Sequence, residues 1–144
     1  MILCDTGPLV AAFNRDDKDH DRCVRFLTQN WTRLVVPSLA VTEVCHLLSD
    51  PMRRGSPALA AQFCAAIADD ELRVIEVTPH DYRRVSELLT SYASLRLQAV
   101  DACVIAIAER FDLHEIATLD QRDYLVVAPR HLPKGQRLTI LPGD

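Results

Sequence analysis

Residues 99–108 read Ala-Val-Asp-Ala-Cys-Val-Ile-Ala-Ile-Ala, and Asp101 is the only charged side chain among them. In a helix, the positions three, four and seven beyond Asp101 are Val104, Ile105 and Ala108, so the carboxylate heads an apolar stripe. A buried carboxylate needs a partner or gives up its charge. The sequence offers few cations nearby; the next charged residues are Glu109 and Arg110. A metal ion shared with other acids would answer that need, and the remainder of the chain can be searched for them. Asp101 alone would also suit the positive end of a helix dipole.

The surrounding pattern alternates strands with helices. Ile2-Leu3-Cys4 is apolar without alternation, as expected for a strand buried on both faces, and Asp5-Thr6-Gly7-Pro8 ends it. Leu9–Phe13 predicts a short helix with Pro8 in its first turn, and a second helix runs to about Thr28. Leu34-Val35-Val36 predicts a strand closed by Pro37, with Ser38 as N-cap of a helix to about Ser49. Within that helix Glu43 lies one turn from both Leu39 and Leu47, which places an acid on the inward face or its margin. Ser56-Pro57 opens a helix with the stripe Leu59, Phe63, Ala66 and Ile67. Leu72–Val77 predicts a strand, and Thr78-Pro79 opens a helix with the stripe Tyr82, Val85, Leu88, Leu89 and Tyr92. After the Asp101 helix, Glu115–Thr118 predicts a strand ending near Asp120, and Leu138–Leu141 an edge strand. This order predicts an α/β fold: a three-layer α/β/α sandwich around a central, mostly parallel sheet of four to five strands.

The 144 residues suit a single domain spanning 1–144, and 49% hydrophobic residues can supply its core. No apolar run approaches the roughly 20 residues that cross a bilayer, and Met1–Asp5 lacks the basic start of a signal peptide, so a soluble, cytoplasmic protein is expected. Cys4, Cys23, Cys45, Cys64 and Cys103 have no C-x-x-C spacing and read as small buried hydrophobes rather than disulfide partners or zinc ligands. A net charge of −4 argues against a broadly basic nucleic-acid surface, but not against a nuclease whose acids hold metal.

Four acids stand at comparable points of this pattern. Asp5 and Asp120 follow strands, while Glu43 and Asp101 lie on apolar helix faces. Carboxylates are ligands for hard divalent cations, which could activate water for phosphoryl displacement. Each acid also has a plain structural reading: Asp5 as N-cap, Glu43 as a surface residue, Asp120 as a turn residue. Residue chemistry alone stops at an acidic metal site near strand ends.

The chain also resembles the PIN-domain family, specifically its VapC-type toxin ribonucleases. The resemblance rests on Asp5-Thr6-Gly7-Pro8 after the first strand, Glu43 within PSLAVTEV, the stretch VDACVIAIAER around Asp101, and IATLDQRDY over 116–124. It implies an Mg²⁺- or Mn²⁺-dependent endoribonuclease with Asp5, Glu43, Asp101 and Asp120 as catalytic, metal-holding acids. Asp123 matches a further acid present in some members, and Thr6 and Thr118 match hydroxyl residues beside the acids. The resemblance further implies cleavage of structured cellular RNA such as tRNA or rRNA, a homodimer, and inhibition by a VapB-type antitoxin. Arg53, Arg54, Arg96, Arg122 and Arg130 would then be available to contact phosphates, or simply be solvated.

Two other functions fit a sheet with an aspartate at a strand end. Aspartate-based phosphotransfer wants a second acid near the first strand or a late lysine, but Gly7 stands two residues after Asp5 and the only lysines are Lys18 and Lys134. A non-catalytic interaction module of the same fold would have no need for the four acids.

Overall fold

The computed structural model describes residues 1–143. The predicted domain reaches residue 144, which lies outside the described residues. Five strands form one parallel sheet among the described residues: β1 (Ile2–Cys4), β2 (Leu34–Pro37), β3 (Arg73–Ile75), β4 (Glu115–Ala117) and β5 (Thr139–Leu141), in the order β3-β2-β1-β4-β5. The chain builds outward from β1 to β3 on one side, then returns to place β4 against the other side of β1. That reversal makes the β1/β4 boundary the switch point of the sheet, where α/β folds open a crevice beyond the strand ends.

The unalternating strands fill both faces. Ile2, Cys4, Leu34, Val36 and Ala117 face a core with α1 (Thr6–Phe13), α2 (His20–Asn30), α3 (Ser38–Leu48) and α4 (Pro57–Ala68). Leu3, Val35 and Ile116 face the opposite core with α5 (Pro79–Ser91), α6 (Ala99–Phe111) and the one-turn helix α7 (Arg122–Val126). Period-two side-chain alternation sends neighbouring residues of each strand into different cores, so both sets must be apolar. The expected three-layer, parallel architecture is therefore the observed one.

Several local expectations differ. Pro37, not Ser38, occupies the N-cap of α3, and the Ser38 hydroxyl accepts a hydrogen bond from Val77 N at 3.2 Å instead. The third strand is confined to Arg73–Ile75, because β3 is an edge strand paired with β2 alone. Tyr82 is 51% exposed, and Asp81 takes the buried place beside Val85 and Leu88. Asp81 closes a capping box with Thr78 and pairs with Arg110 on α6. The cysteines are not uniformly buried either: Cys64 is exposed, and its sulfur lies 3.6 Å from that of Cys45 across the α3–α4 contact.

Candidate acidic active site

Asp5 leaves the end of β1 at the switch point, where its backbone N–H donates to Ala117 O on β4 at 2.9 Å. It occupies the N-cap position of α1 but makes no side-chain cap bond. Its carboxylate instead points to the chemistry of the crevice: Thr118 Oγ1 donates to Asp5 Oδ2 at 3.0 Å, and the Tyr124 hydroxyl lies 3.2 Å from the same oxygen. Asp5 is 6% exposed. Burial pushes its pKa above the ordinary carboxylate value despite these bonds, and the Glu43 charge adds to the rise.

Asp101 sits in the first turn of α6, where it accepts from Gln98 N at 3.3 Å. The plain helix-terminus reading of Asp101 is thus met. Its other oxygen, Oδ1, lies 3.2 Å from the Tyr124 hydroxyl. Burial, and then the charge of Asp5, raise its pKa to about 7. One phenol hydrogen cannot serve two anions at once. Burial raises the pKa of both acids, and a proton kept by either one resolves this. The phenol itself keeps its proton, since burial and both acids push its pKa well up.

Glu43 is exposed on the rim, at the margin of the inward face of α3, and accepts from Thr6 Oγ1 at 3.0 Å. Asp120 is exposed beyond β4, and its backbone N–H donates to Thr118 Oγ1 at 3.1 Å. Asp5, Thr6, Glu43, Asp101 and Asp120 line one cleft of about 450 Å³. Asp123 is outside that lining; it is buried, with Arg122 Nε at 3.3 Å, and its charge contributes to the rise at Asp101. The same cleft is lined by Lys18 and Arg53. Arg122 faces Asp123, and Arg130 pairs with Glu87 at 2.8 Å.

The donor types suit a hard divalent cation: the carboxylates of Asp5, Asp101, Glu43 and Asp120, with Asp17 and Asp19 also in the lining, and no thiol or imidazole lining the cleft. The raised pKa values of Asp5 and Asp101 come first from burial, and the neighbouring acids add to it.

Sequence reasoning missed Tyr124 and Lys18. Tyr124 was visible only as part of the IATLDQRDY stretch; a tyrosine after an acid carries no signal that its hydroxyl returns to β1. Lys18 lies in a polar connector dense in acids, where a single lysine reads as solvated.

Comparison with known proteins agrees with this geometry. The PIN domain family profile matches residues 2–128. The chain is 25% identical over 141 residues to Ribonuclease VapC26 of Mycobacterium tuberculosis, covering 98% of this chain and 100% of the relative. Among solved structures, it is similar to VapC20 of Mycobacterium tuberculosis, described as a Sarcin-Ricin loop cleaving toxin, with TM-score 0.76 and 21% identity over 84% of this chain and 91% of that one. It is also similar to a chain of a toxin-antitoxin complex from Klebsiella pneumoniae, with TM-score 0.63 and 18% identity over 90% of this chain and 98% of the other. With a family match over residues 2–128, the chain belongs to the PIN-domain family.

Proposed function

We propose that this protein is a divalent-metal-dependent endoribonuclease acting as the toxin of a type II toxin–antitoxin pair. The observation that carries this reading is the convergence of Asp5, Glu43, Asp101 and Asp120 on one cleft at the sheet's switch point. Asp5, Glu43, Asp101 and Asp120 would hold Mg²⁺ or Mn²⁺, with Asp123 as a further acid. When bound, such an ion supplies an activated water and charge stabilisation at phosphorus.

The chain's own residues do the positioning. Thr118 and Tyr124 fix the rotamer of Asp5 through its Oδ2. Tyr124 also holds Asp101, and Thr6 holds Glu43. A cation requires both acids in the anionic form, so its binding would displace the protons that burial makes Asp5 and Asp101 hold more tightly. Lys18 and Arg53 on the cleft wall offset part of that charge and favour approach of a phosphodiester.

The substrate in this reading is a structured cellular RNA of the tRNA or rRNA class, the protein works as a homodimer, and a VapB-type antitoxin inhibits it. The relatives named above, a ribonuclease and a chain of a toxin-antitoxin complex, support the reading. The experiment is cleavage of total cellular RNA by purified protein with Mg²⁺ or Mn²⁺, alongside Asp5→Asn. Metal-dependent cleavage that Asp5→Asn abolishes is expected, together with growth arrest on expression of the wild type only. Absence of both cleavage and arrest in the wild type would overturn the assignment and leave only the fold.

A further inference from the structure

Helix α6 carries Asp101 at one end and a different group of ligands at the other. Asp112, the C-cap of α6, has φ 53° and turns the chain toward β4. His114 follows two residues later, and His131 comes from the segment after α7. One donor atom from each of the three lies within 4.8 Å of the others, and among the described residues this is the one such group of His, Cys, Asp or Glu found. The two imidazole rings have centroids 5.7 Å apart with a tilt of 57°. His114 Nε2 is 3.1 Å from Asp112 Oδ1.

His131 supplies the more telling detail. Its Nε2 lies 2.7 Å from Leu113 O, and a carbonyl can only accept, so Nε2 carries the hydrogen. In the neutral ring Nδ1 is then a bare lone pair. That atom is buried and has no hydrogen-bond partner. A histidine whose one nitrogen donates to a backbone carbonyl while the other offers its lone pair is the arrangement of a metal-ligating imidazole.

We propose that Asp112, His114 and His131 form a site for a borderline transition-metal dication of the Zn²⁺ class, separate from the acidic cleft. Two imidazoles and one carboxylate suit such an ion, whereas the all-oxygen cleft suits a hard one. Metal–ligand bonds of about 2.0–2.2 Å in a tetrahedron put donors about 3.4 Å apart. Rotation of the exposed Asp112 and His114 side chains closes the remaining distance, and water completes the shell on the open side. The ion would tie the segment after α7 to the turn between α6 and β4. That turn also receives β5, through Thr139 N donating to His114 O at 2.8 Å. The site is therefore a clasp for the C-terminal third of the sheet and takes no part in phosphodiester cleavage.

The test is titration of chelator-treated full-length protein with Zn²⁺, read by calorimetry, and with Co²⁺, read by visible absorption. One equivalent is expected to bind, with ligand-field bands free of thiolate charge transfer and a rise in melting temperature. His114→Gln and Asp112→Asn should each weaken binding about tenfold or more; Asn tolerates the positive φ at 112, so folding is preserved. Asp5→Asn should bind Zn²⁺ like the wild type. His131→Gln is the third arm, and the two exposed-site variants decide the matter even where it fails to fold. The proposal is overturned by unchanged Zn²⁺ binding in His114→Gln and Asp112→Asn, by thiolate bands pointing to Cys45 and Cys64, or by substoichiometric binding to the wild type.

Discussion

Tyr124 Oη stands 3.2 Å from Asp101 Oδ1, so a residue of the short helix α7 holds the acid at the head of α6. The same hydroxyl reaches Asp5, and the phenol ring is buried among the α6 core residues. Tyr124→Phe keeps the packing and removes only the shared bond. Without it Asp101 loses a contact that lowers its pKa, so its proton should leave at higher pH than in the wild type. RNA cleavage by Tyr124→Phe should fall about 10–100-fold, the usual effect of removing a group that orients a metal-holding residue. The rising limb of its pH profile should also move to higher pH. A profile identical to the wild type's would remove Tyr124 from the site.

The Asp101 carboxyl gives stability a definite pH dependence. Burial, and then the Asp5 charge, push its pKa up to about 7 from the ordinary 3.8, so the folded chain binds the proton more tightly. Its contribution is greatest below about pH 4 and is lost as pH rises through about 7. The metal-free wild type should therefore lose more melting temperature between pH 6 and pH 8 than Asp101→Asn does. Mn²⁺ requires the anionic form, so its stabilisation of the wild type should be larger at pH 8 than at pH 6. Differential scanning fluorimetry of both proteins, with and without Mn²⁺, measures all four quantities.

Asp81 is a structural acid, and its pKa moves the other way. Burial pushes it up, but hydrogen bonds from Thr78 and Arg110 outweigh that and leave it below the ordinary value. Arg110 Nη2 lies 2.9 Å from Asp81 Oδ2 and its Nε lies 3.0 Å from Oδ1. Asp81→Ala breaks this fork and the capping box of α5 together, at a cost of about 3 kcal/mol in urea denaturation. The stability difference from the wild type should begin to shrink as pH falls below about 4, where the unfolded chain takes up the Asp81 proton, and be lost as pH falls through the lowered folded-state value. Cleavage per folded molecule should be unchanged.

Gly55 has no room for a side chain. A Cβ there would lie 2.2 Å from Leu48 O and 2.8 Å from Asp50 O, both fixed backbone atoms. The turn around it is held by Gly55 N donating to Asp50 O at 2.9 Å and Ser56 N donating to Leu48 O at 2.8 Å. Gly55→Ala should destabilise the protein by about 1–3 kcal/mol, as other overpacked positions do. Because Arg53 lines the acidic cleft from this turn, the variant should also raise the KM for RNA. Thermal melts and steady-state cleavage test the two effects separately.

The amino-acid sequence by itself determined the layer order, the parallel sheet and four of the acids that line one cleft. Ile2-Leu3-Cys4 and Leu34-Val35-Val36 lack alternation because two cores cover the sheet, and that requirement is written locally. Asp5, Glu43 and Asp101 stand out because each is an acid beside or within an apolar pattern. Tertiary structure alone decided what each acid became. Asp5 is deeply buried while Glu43 and Asp120 stay on the rim, since burial depends on which strand neighbours which, and β4 returns to β1 only after 110 residues of chain. The Tyr124 bridge, the Asp81–Arg110 fork and the meeting of His114 with His131 were equally unreadable. Each joins segments distant in sequence, and a hydrogen bond closed by packing leaves no periodic trace in the residues that make it.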